Sequence, residues 1–283
     1  MSYIQKQHHL GLAGLALLRS WLVKKNSDTK SILSSMYDIL SILANSNFED
    51  DTPDVKEFGI SEGYRKWADT YDSPNLLMEV EEPEVKTILR KLPKGKVLDV
   101  GCGTGRYSIF LRSIGYEVTG LDQSVEMLEK AKQKDKNVTF IQGKIDHLPF
   151  VNNNFDLVIC SLLLTHFKDL DNPIAELSRV VRKHGYLLIS DINPWFVALG
   201  THADFHDKDG KWGYIRNFIH WHSEYLKTFR KYGLKVVDCK EPVLKSKNLR
   251  ISDLESEGKI NKGTLDLALK DLPLVLIWLL KKV

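Results

Sequence analysis

The chain has 283 residues, 43% of them hydrophobic and 27% charged, an ordinary globular composition that suits one large domain or a core domain with an extension. Its 40 basic and 37 acidic side chains leave a formal net charge of +3, which gives no electrostatic case for nucleic acid or a membrane surface. Cys102, Cys160 and Cys239 lie far apart, with no metal or disulfide spacing, which fits a reducing cytoplasm.

Two amphipathic helices are expected near 8–25 and 29–45; in the second, Ile32, Leu33, Met36, Tyr37, Ile39, Leu40 and Leu43 recur at helical spacing. The apolar run LGLAGLALL in the first is followed by Arg19, Trp21, Lys24 and Lys25 with no small-residue cleavage site, so it reads as core rather than signal. The pair forms an N-terminal extension over 1–55, a packed hairpin that could also serve as a lid or a dimer contact. Asn45 to Asp54 is a polar acidic linker. The segment YRKWADTYD, Tyr64 to Asp72, precedes a helix expected from Glu81 to Leu92.

From Lys96 strands and helices alternate. The strands are KVLDV, EVTGLD, VTFIQG, FDLVICSLL and YLLISDI; the helices between them include RYSIFLRSI, SVEMLEKAKQK and PIAELSRVVR. Such alternation builds βαβ units and a mainly parallel, doubly wound sheet. After Asp191 comes a long excursion over 193–222, rich in Trp195, Phe196, Trp212, Tyr214, Phe218 and Trp221. It reads either as a small satellite core or as an apolar pocket for a flat or greasy ligand. A helix from about Ser223 to Tyr232, the strand KVVDCKEP, a further loop and a last strand PLVLIWLL complete a domain over 56–283. The last run is too short to span a bilayer as a helix.

The most informative stretch is VLDVGCGTG, Val97 to Gly105. A buried strand runs into a turn whose three glycines admit tight backbone and close ligand approach. About twenty residues after Gly101, Asp122 ends the second strand, where an acid can hold a ribose diol. An adenosine-bearing cofactor is therefore expected across these strand ends. The spacing is G-x-G-x-G rather than the G-x-G-x-x-G of dinucleotide enzymes, and Asp99 would repel a pyrophosphate but welcome a cation such as an amino group.

These residues resemble the first motif of the class I S-adenosylmethionine-dependent methyltransferases, small-molecule type, related to the ubiquinone and menaquinone biosynthesis enzymes. GLDQS resembles the second motif, GKIDHLPF the third, NNNFDLVICSLLLTHFKD the fourth and RVVRKHGYLLISD the turn and fifth strand, over about residues 60–240. The resemblance implies a Rossmann-like α/β sheet of order 3-2-1-4-5-7-6 with the last strand antiparallel. It implies S-adenosylmethionine as methyl donor and S-adenosylhomocysteine as product. Gly101, Cys102 and Gly103 would pass under the methionine part, with Asp99 holding its amino group directly or through water. Asp122 would take the ribose hydroxyls, with Gln123 beside the adenine and Ser161 and Leu162 beside the methionine part; Met127 reads either as core or as packing on the adenine face. Lys144 stands where family members commonly carry an acid, and a lysine cannot accept the adenine amino hydrogen. That contact passes to the Ile145 backbone and Asp146. Tyr64 and Tyr71 are placed to close over the cofactor, or to pack the N-terminal helices on the sheet.

The cofactor supplies an activated methyl, so the protein supplies chiefly position and a water-poor site. A base is needed only where the acceptor must lose a proton; His166, after the fourth strand, and His220 and His222, in the excursion, are the candidates. No further ligand accompanies His220 and His222, so no metal site is expected. The expected activity is methylation of a small organic acceptor at O, N or C by a cytoplasmic monomer or homodimer. The alternatives are a protein or RNA methyltransferase, for which no N/D-P-P-Y tetrad or basic patch is present, a cofactor-binding module without catalysis, and a nicotinamide dehydrogenase.

Overall fold

The structure, a computed structural model, describes residues 3–20, 26–44, 55–248 and 262–283. The acidic linker expected at 45–54 lies outside them. Backbone contacts divide the chain into two units, Met1–Asp54 with Val243–Pro273, and Val55–Pro242 with Leu274–Val283.

The smaller unit holds helices α1 (Tyr3–Ser20), α2 (Asn26–Ala44) and α10 (Lys262–Leu269). Leu12, Ala13 and Ala16 of α1 are buried, with Ile32 and Ile39 of α2 and Leu265, Ala268 and Leu269 of α10. The last three sit at i, i+3 and i+4, one face of a helix, where sequence reading expected only a loop within the larger domain. Arg19 ties the unit together, its guanidinium donating to the carbonyls of Ala268 and Lys270 at 2.8 Å each. Of the α2 apolar positions, Leu33, Tyr37 and Leu40 are exposed.

The larger unit is built on seven strands: β1 (Lys96–Val100), β2 (Glu117–Asp122), β3 (Thr139–Gln142), β4 (Phe155–Ser161), β5 (Val181–Ile192), β6 (Leu234–Lys240) and β7 (Val275–Lys282). Their order across the sheet is β3-β2-β1-β4-β5-β7-β6. The first five are parallel, and β7 runs antiparallel to both of its neighbours. Val97, Leu98, Val158, Ile159, Leu187, Leu188, Leu276 and Ile277 are fully buried, as near-continuous apolar strands must be when helices cover both faces of a sheet. Helices α5 (Arg106–Ser113), α6 (Val125–Lys134), α7 (Asp171–Val180) and α9 (His222–Lys231) supply that cover, with α4 (Leu76–Lys91). No described helix is long and apolar enough to cross a membrane.

Helix α4 begins five residues before the expected Glu81. Asn75 caps it, its side-chain oxygen accepting from the amides of Leu77 and Met78 at 2.8 and 3.4 Å. Pro83, a residue suited to a helix's first turn, lies inside it.

The excursion after β5 does not stay irregular. It holds the short helix α8 (Pro194–Ala198) and a hairpin of strands Ala203–His206 and Trp212–Ile215. The second of these pairs in parallel with Lys56–Phe58, making a separate three-stranded sheet. Phe58, Phe205, Trp67, Tyr64 and Tyr71 form one run of ring contacts beside it, with centroids 5.0–6.0 Å apart. Helix α3 (Ile60–Trp67) is thereby held against the hairpin.

Candidate cofactor site

The order of strands reverses on either side of β1, so β2 and β4 diverge there and leave a crevice at their carboxyl ends. A cavity of about 230 Å³ occupies it. One end of its wall is the glycine turn. Gly101, Gly103 and Gly105 all take positive φ, 71°, 52° and 84°, a region that disfavours any side chain. A Cβ on Gly101 would stand 2.6 Å from the Leu163 side chain. The amides of Gly101 and Cys102 both donate to the carbonyl of Leu121, at 2.7 and 3.0 Å, which docks the turn on β2.

Asp122 locks the same corner. Its Oδ2 accepts from the Gly103 amide and its Oδ1 from the Ser124 amide, each at 2.9 Å. Burial raises its pKa, and these backbone amides oppose the rise. Each carboxylate oxygen keeps capacity for one more donor, so a diol can still be bound on the cavity side. Gln123, Gly143, Lys144, Ile145 and Asp146 continue the wall past β3.

Ser161, Leu162 and Leu163 close the wall at the end of β4. Leu162 has φ 53°, an outlier for a leucine, held by the hydrogen bond its amide donates to the Ser190 carbonyl at 2.8 Å. Strain of this kind survives where neighbouring structure enforces it, and here it turns the backbone toward the cavity. Tyr64, Tyr71 and Ile60 cover the cavity from the segment ahead of the sheet, and Phe167 completes it. That covering segment is tied to the glycine turn and α6: Thr104 Oγ1 donates to Asp72, and Lys134 and Lys130 pair with Asp72 and Asp69, all at 2.7 Å. Burial pushes the Tyr71 phenol up to about 12, so it stays protonated.

Ten expected contacts thus share one wall: Tyr64, Tyr71, Gly101, Gly103, Asp122, Gln123, Ile145, Asp146, Ser161 and Leu162. Three others stand behind it. Asp99 is 2% exposed and accepts from Ser108 Oγ at 2.6 Å, which braces α5 against β1. Burial pushes its pKa up to about 6. Cys102 is buried with its thiol raised by desolvation, and Met127 is fully buried in the core.

The three histidines differ in the same way. His166 is buried; its Nδ1 must donate to the Arg216 carbonyl at 3.1 Å, which leaves Nε2 to accept from Tyr64 Oη at 2.8 Å. Burial holds its pKa down to about 4, so the ring is neutral at ordinary pH. His220 Nε2 donates to the Phe167 carbonyl at 2.8 Å, a strut and not a wall residue. His222 opens α9, half-exposed, with Nε2 3.1 Å from Glu241, away from the cavity wall. The excursion aromatics also stay off the wall. Trp195 and Trp221 pack edge to face at 5.4 Å, Trp212 meets His206, and Tyr214 stacks on His202. The excursion instead braces the Leu164–His166 turn: the Phe218 amide donates to the Thr165 carbonyl at 2.6 Å, alongside the His166 and His220 bonds.

Glu81, unforeseen as a site residue, is a polar hub behind the wall. It is fully buried in α4. Its Oε1 accepts from Ser161 and Ser190, and its Oε2 from Arg106 and Tyr107. Through Ser161 it fixes a hydroxyl on the cavity wall. Asp191, also fully buried, plays the same part for the next turn, accepting from the Thr165 amide at 2.9 Å and Tyr225 Oη at 3.0 Å. Burial pushes Asp191 up to about 7. Among the described residues no cluster has the ligands to hold a metal.

A methyltransferase-domain family, Methyltransf_11, matches residues 98–189. The uncharacterized methyltransferase YodH of Bacillus subtilis is 31% identical over 161 residues, covering 54% of this chain and 67% of that protein. A malonyl-[acyl-carrier protein] O-methyltransferase of Hamiltonella defensa is 33% identical over 138 residues, 49% of this chain and 54% of that one. The fold is shared by an S-adenosylmethionine-dependent methyltransferase from Mesorhizobium loti, at 20% identity and TM-score 0.55 over 74% of this chain and all of that one. It is shared too by DhpI, solved as a complex with SAH, at 19% identity and TM-score 0.55 over 78% of this chain and 94% of that one. The chain belongs to the class I S-adenosylmethionine-dependent methyltransferases. It spans about half the length of the malonyl-[acyl-carrier protein] relatives it matches.

Proposed function

We propose that this chain binds S-adenosylmethionine in the cavity at the ends of β1, β2 and β4 and transfers its methyl group to a small organic acceptor. The observation that supports it best is the shared wall of the positive-φ Gly101 and Gly103, Asp122 and the strained Leu162, a backbone cradle with one partly buried carboxylate beside it. Its donors and acceptors suit the cofactor. Asp122 would accept the ribose hydroxyls. Gln123, the Ile145 backbone and Asp146 would flank the adenine, and the Gly101–Gly103 backbone, Ser161 and Leu162 the methionine part. When bound, the cofactor supplies a methyl group activated on a sulfonium.

The chain's own contribution is position and exclusion of water. Tyr64 and Tyr71 cover the cavity, and the Asp69 and Asp72 contacts hold that cover down. Glu81 orients Ser161, and Asp191 orients the turn carrying His166 and Phe167. The acceptor would be small, since a net charge of +3 gives no electrostatic case for nucleic acid, and the three free cysteines suit a reducing cytoplasm. Incubation of the protein with methyl-labelled S-adenosylmethionine and a small-molecule cell extract tests the reading. Label should appear in extract molecules with matching formation of S-adenosylhomocysteine; binding without S-adenosylhomocysteine would leave a non-catalytic module.

A further inference from the structure

Tyr64 lines the cavity near Leu163 and Phe167, and the partner of its hydroxyl is unusual. The Arg216 carbonyl can only accept, so His166 Nδ1 carries the ring's proton and Nε2 offers a lone pair. Tyr64 Oη is 2.8 Å from that Nε2 and donates to it. The phenol oxygen keeps its own lone pairs, to which no described residue donates. The result is a directed chain, cavity to phenol to imidazole. His166 itself is 6% exposed with both nitrogens engaged, so it reaches the cavity only through Tyr64.

The charges nearby narrow the acceptor further. Among the described wall residues Lys144 is the one cation, and it follows β3, on the far side of β2 and β1 from β4. A carboxylate acceptor at the Tyr64 end would meet no counter-charge on the wall. It would also need no proton removed.

We propose that the methyl acceptor is a neutral hydroxyl or amino group, and that its proton leaves through Tyr64 Oη to His166 Nε2; this rests on the methyltransferase reading above. In the step, the acceptor's lone pair forms a bond to the methyl carbon while the sulfur–carbon bond breaks, its electron pair staying on sulfur. The acceptor's proton passes to Tyr64 Oη as Tyr64's own proton passes to His166. Tyr64 ends unchanged and His166 ends as imidazolium. One positive charge is lost at sulfur and one appears on His166, so the net charge of the site is conserved. Burial, which holds His166 well below its ordinary range, keeps the ring neutral before the step, and the imidazolium that forms returns its proton through Tyr64 Oη to solvent once the product has left the cavity.

The test uses the full chain, methyl-tritiated S-adenosylmethionine and a small-molecule cell extract as the acceptor probe, followed by mild alkali. Methyl ethers and methylamines retain their label; methyl esters release it as volatile methanol. Retained label is expected. The Tyr64→Phe variant, which keeps the ring and therefore the cover, should lower the transfer rate by roughly 100-fold and leave S-adenosylhomocysteine affinity within about threefold. Alkali-released label would overturn the inference and leave the methyltransferase reading standing; no labelled product of either kind would overturn both. A loss of S-adenosylhomocysteine affinity as large as the loss of rate would reduce Tyr64 to part of the cover. A readout independent of turnover is the ¹⁵N spectrum of histidine-labelled protein with S-adenosylhomocysteine. It should show His166 protonated at Nδ1, with an Nε2 resonance that moves in Tyr64→Phe. Protonation at Nε2 would overturn the relay.

Discussion

At its β1–β2 end the cavity wall is chiefly backbone: the positive-φ Gly101 and Gly103, amides docked on the Leu121 carbonyl, and one carboxylate that ties two of the chain's own amides. At its β4 end the wall is chiefly side chain: Tyr64, Phe167 and Leu163 in front, with His166, Glu81 and Asp191 behind them. The first end is fixed by residues close together in sequence. The second is assembled from α3, α4, β4, β5 and the excursion, segments up to about 160 residues apart. A cofactor common to many enzymes suits the first kind of construction, because one short turn carries it. The second kind can change one partner at a time, which suits the part of a site that chooses an acceptor.

Four substitutions sharpen this contrast, from the largest expected effect to the smallest. Glu81→Ala removes the acceptor for Arg106, Tyr107, Ser161 and Ser190. It should cost about 3 kcal/mol or more in chemical denaturation, the usual result of stripping one partner from a buried charge pair. A change under about 1 kcal/mol would mean that the hub is not holding the β4 end together. Asp191→Asn should change the pH dependence. The carboxyl titrates near 7 in the fold, above its ordinary value of 3.8, so its contribution to stability is full below about 4 and is lost as pH rises through 7. The variant should therefore gain on the parent between pH 4 and 8, by up to on the order of 4 kcal/mol, with much of the Thr165 and Tyr225 bonding kept by the amide. Asp99 drives stability the same way and His166 the opposite way below 6.5, and both cancel in the difference between the two proteins. A pH-independent difference would contradict the buried carboxylate.

Asp72→Ala removes one ion pair and the Thr104 bond that hold the cover, and should weaken S-adenosylhomocysteine binding about fivefold with little loss of stability. His222→Ala should leave both affinity and transfer unchanged, since its partner Glu241 is partly exposed and neither lies on the cavity wall. A clear loss of transfer would return His222 to the site and break the division between the two ends.

The same contrast explains what could be read from the amino-acid sequence. The strand, glycine turn and Asp122 were legible because each obeys a local rule of chain conformation, and the alternation that follows shows where the parallel strands lie. Asp99, Cys102 and Met127 share that neighbourhood, yet their side chains point into the core, a direction that spacing alone does not reveal. Glu81 opened the expected helix, where an acid reads as an ordinary first-turn residue; α4 begins five residues earlier and places Glu81 in its interior. A glutamate inside an otherwise apolar helical face, Val80, Val85, Ile88 and Leu89, was the signal available. His220 and the excursion aromatics are ordinary residues for a pocket, and only the hydrogen bonds of His220 and Phe218 to Phe167 and Thr165 in the fold show the excursion bracing the wall from outside. Helix α10 was missed because its buried face is short and its partner α1 is about 250 residues away.

The central claim, that the glycine turn and Asp122 hold an adenosine cofactor, is tested most directly by titration calorimetry with S-adenosylhomocysteine on the full chain and on Asp122→Ala. Saturable one-to-one binding is predicted, weakened by roughly 100-fold in the variant, as expected when two hydrogen bonds to a charged group are lost. Equal affinity in the two proteins, with the variant folded, would contradict it.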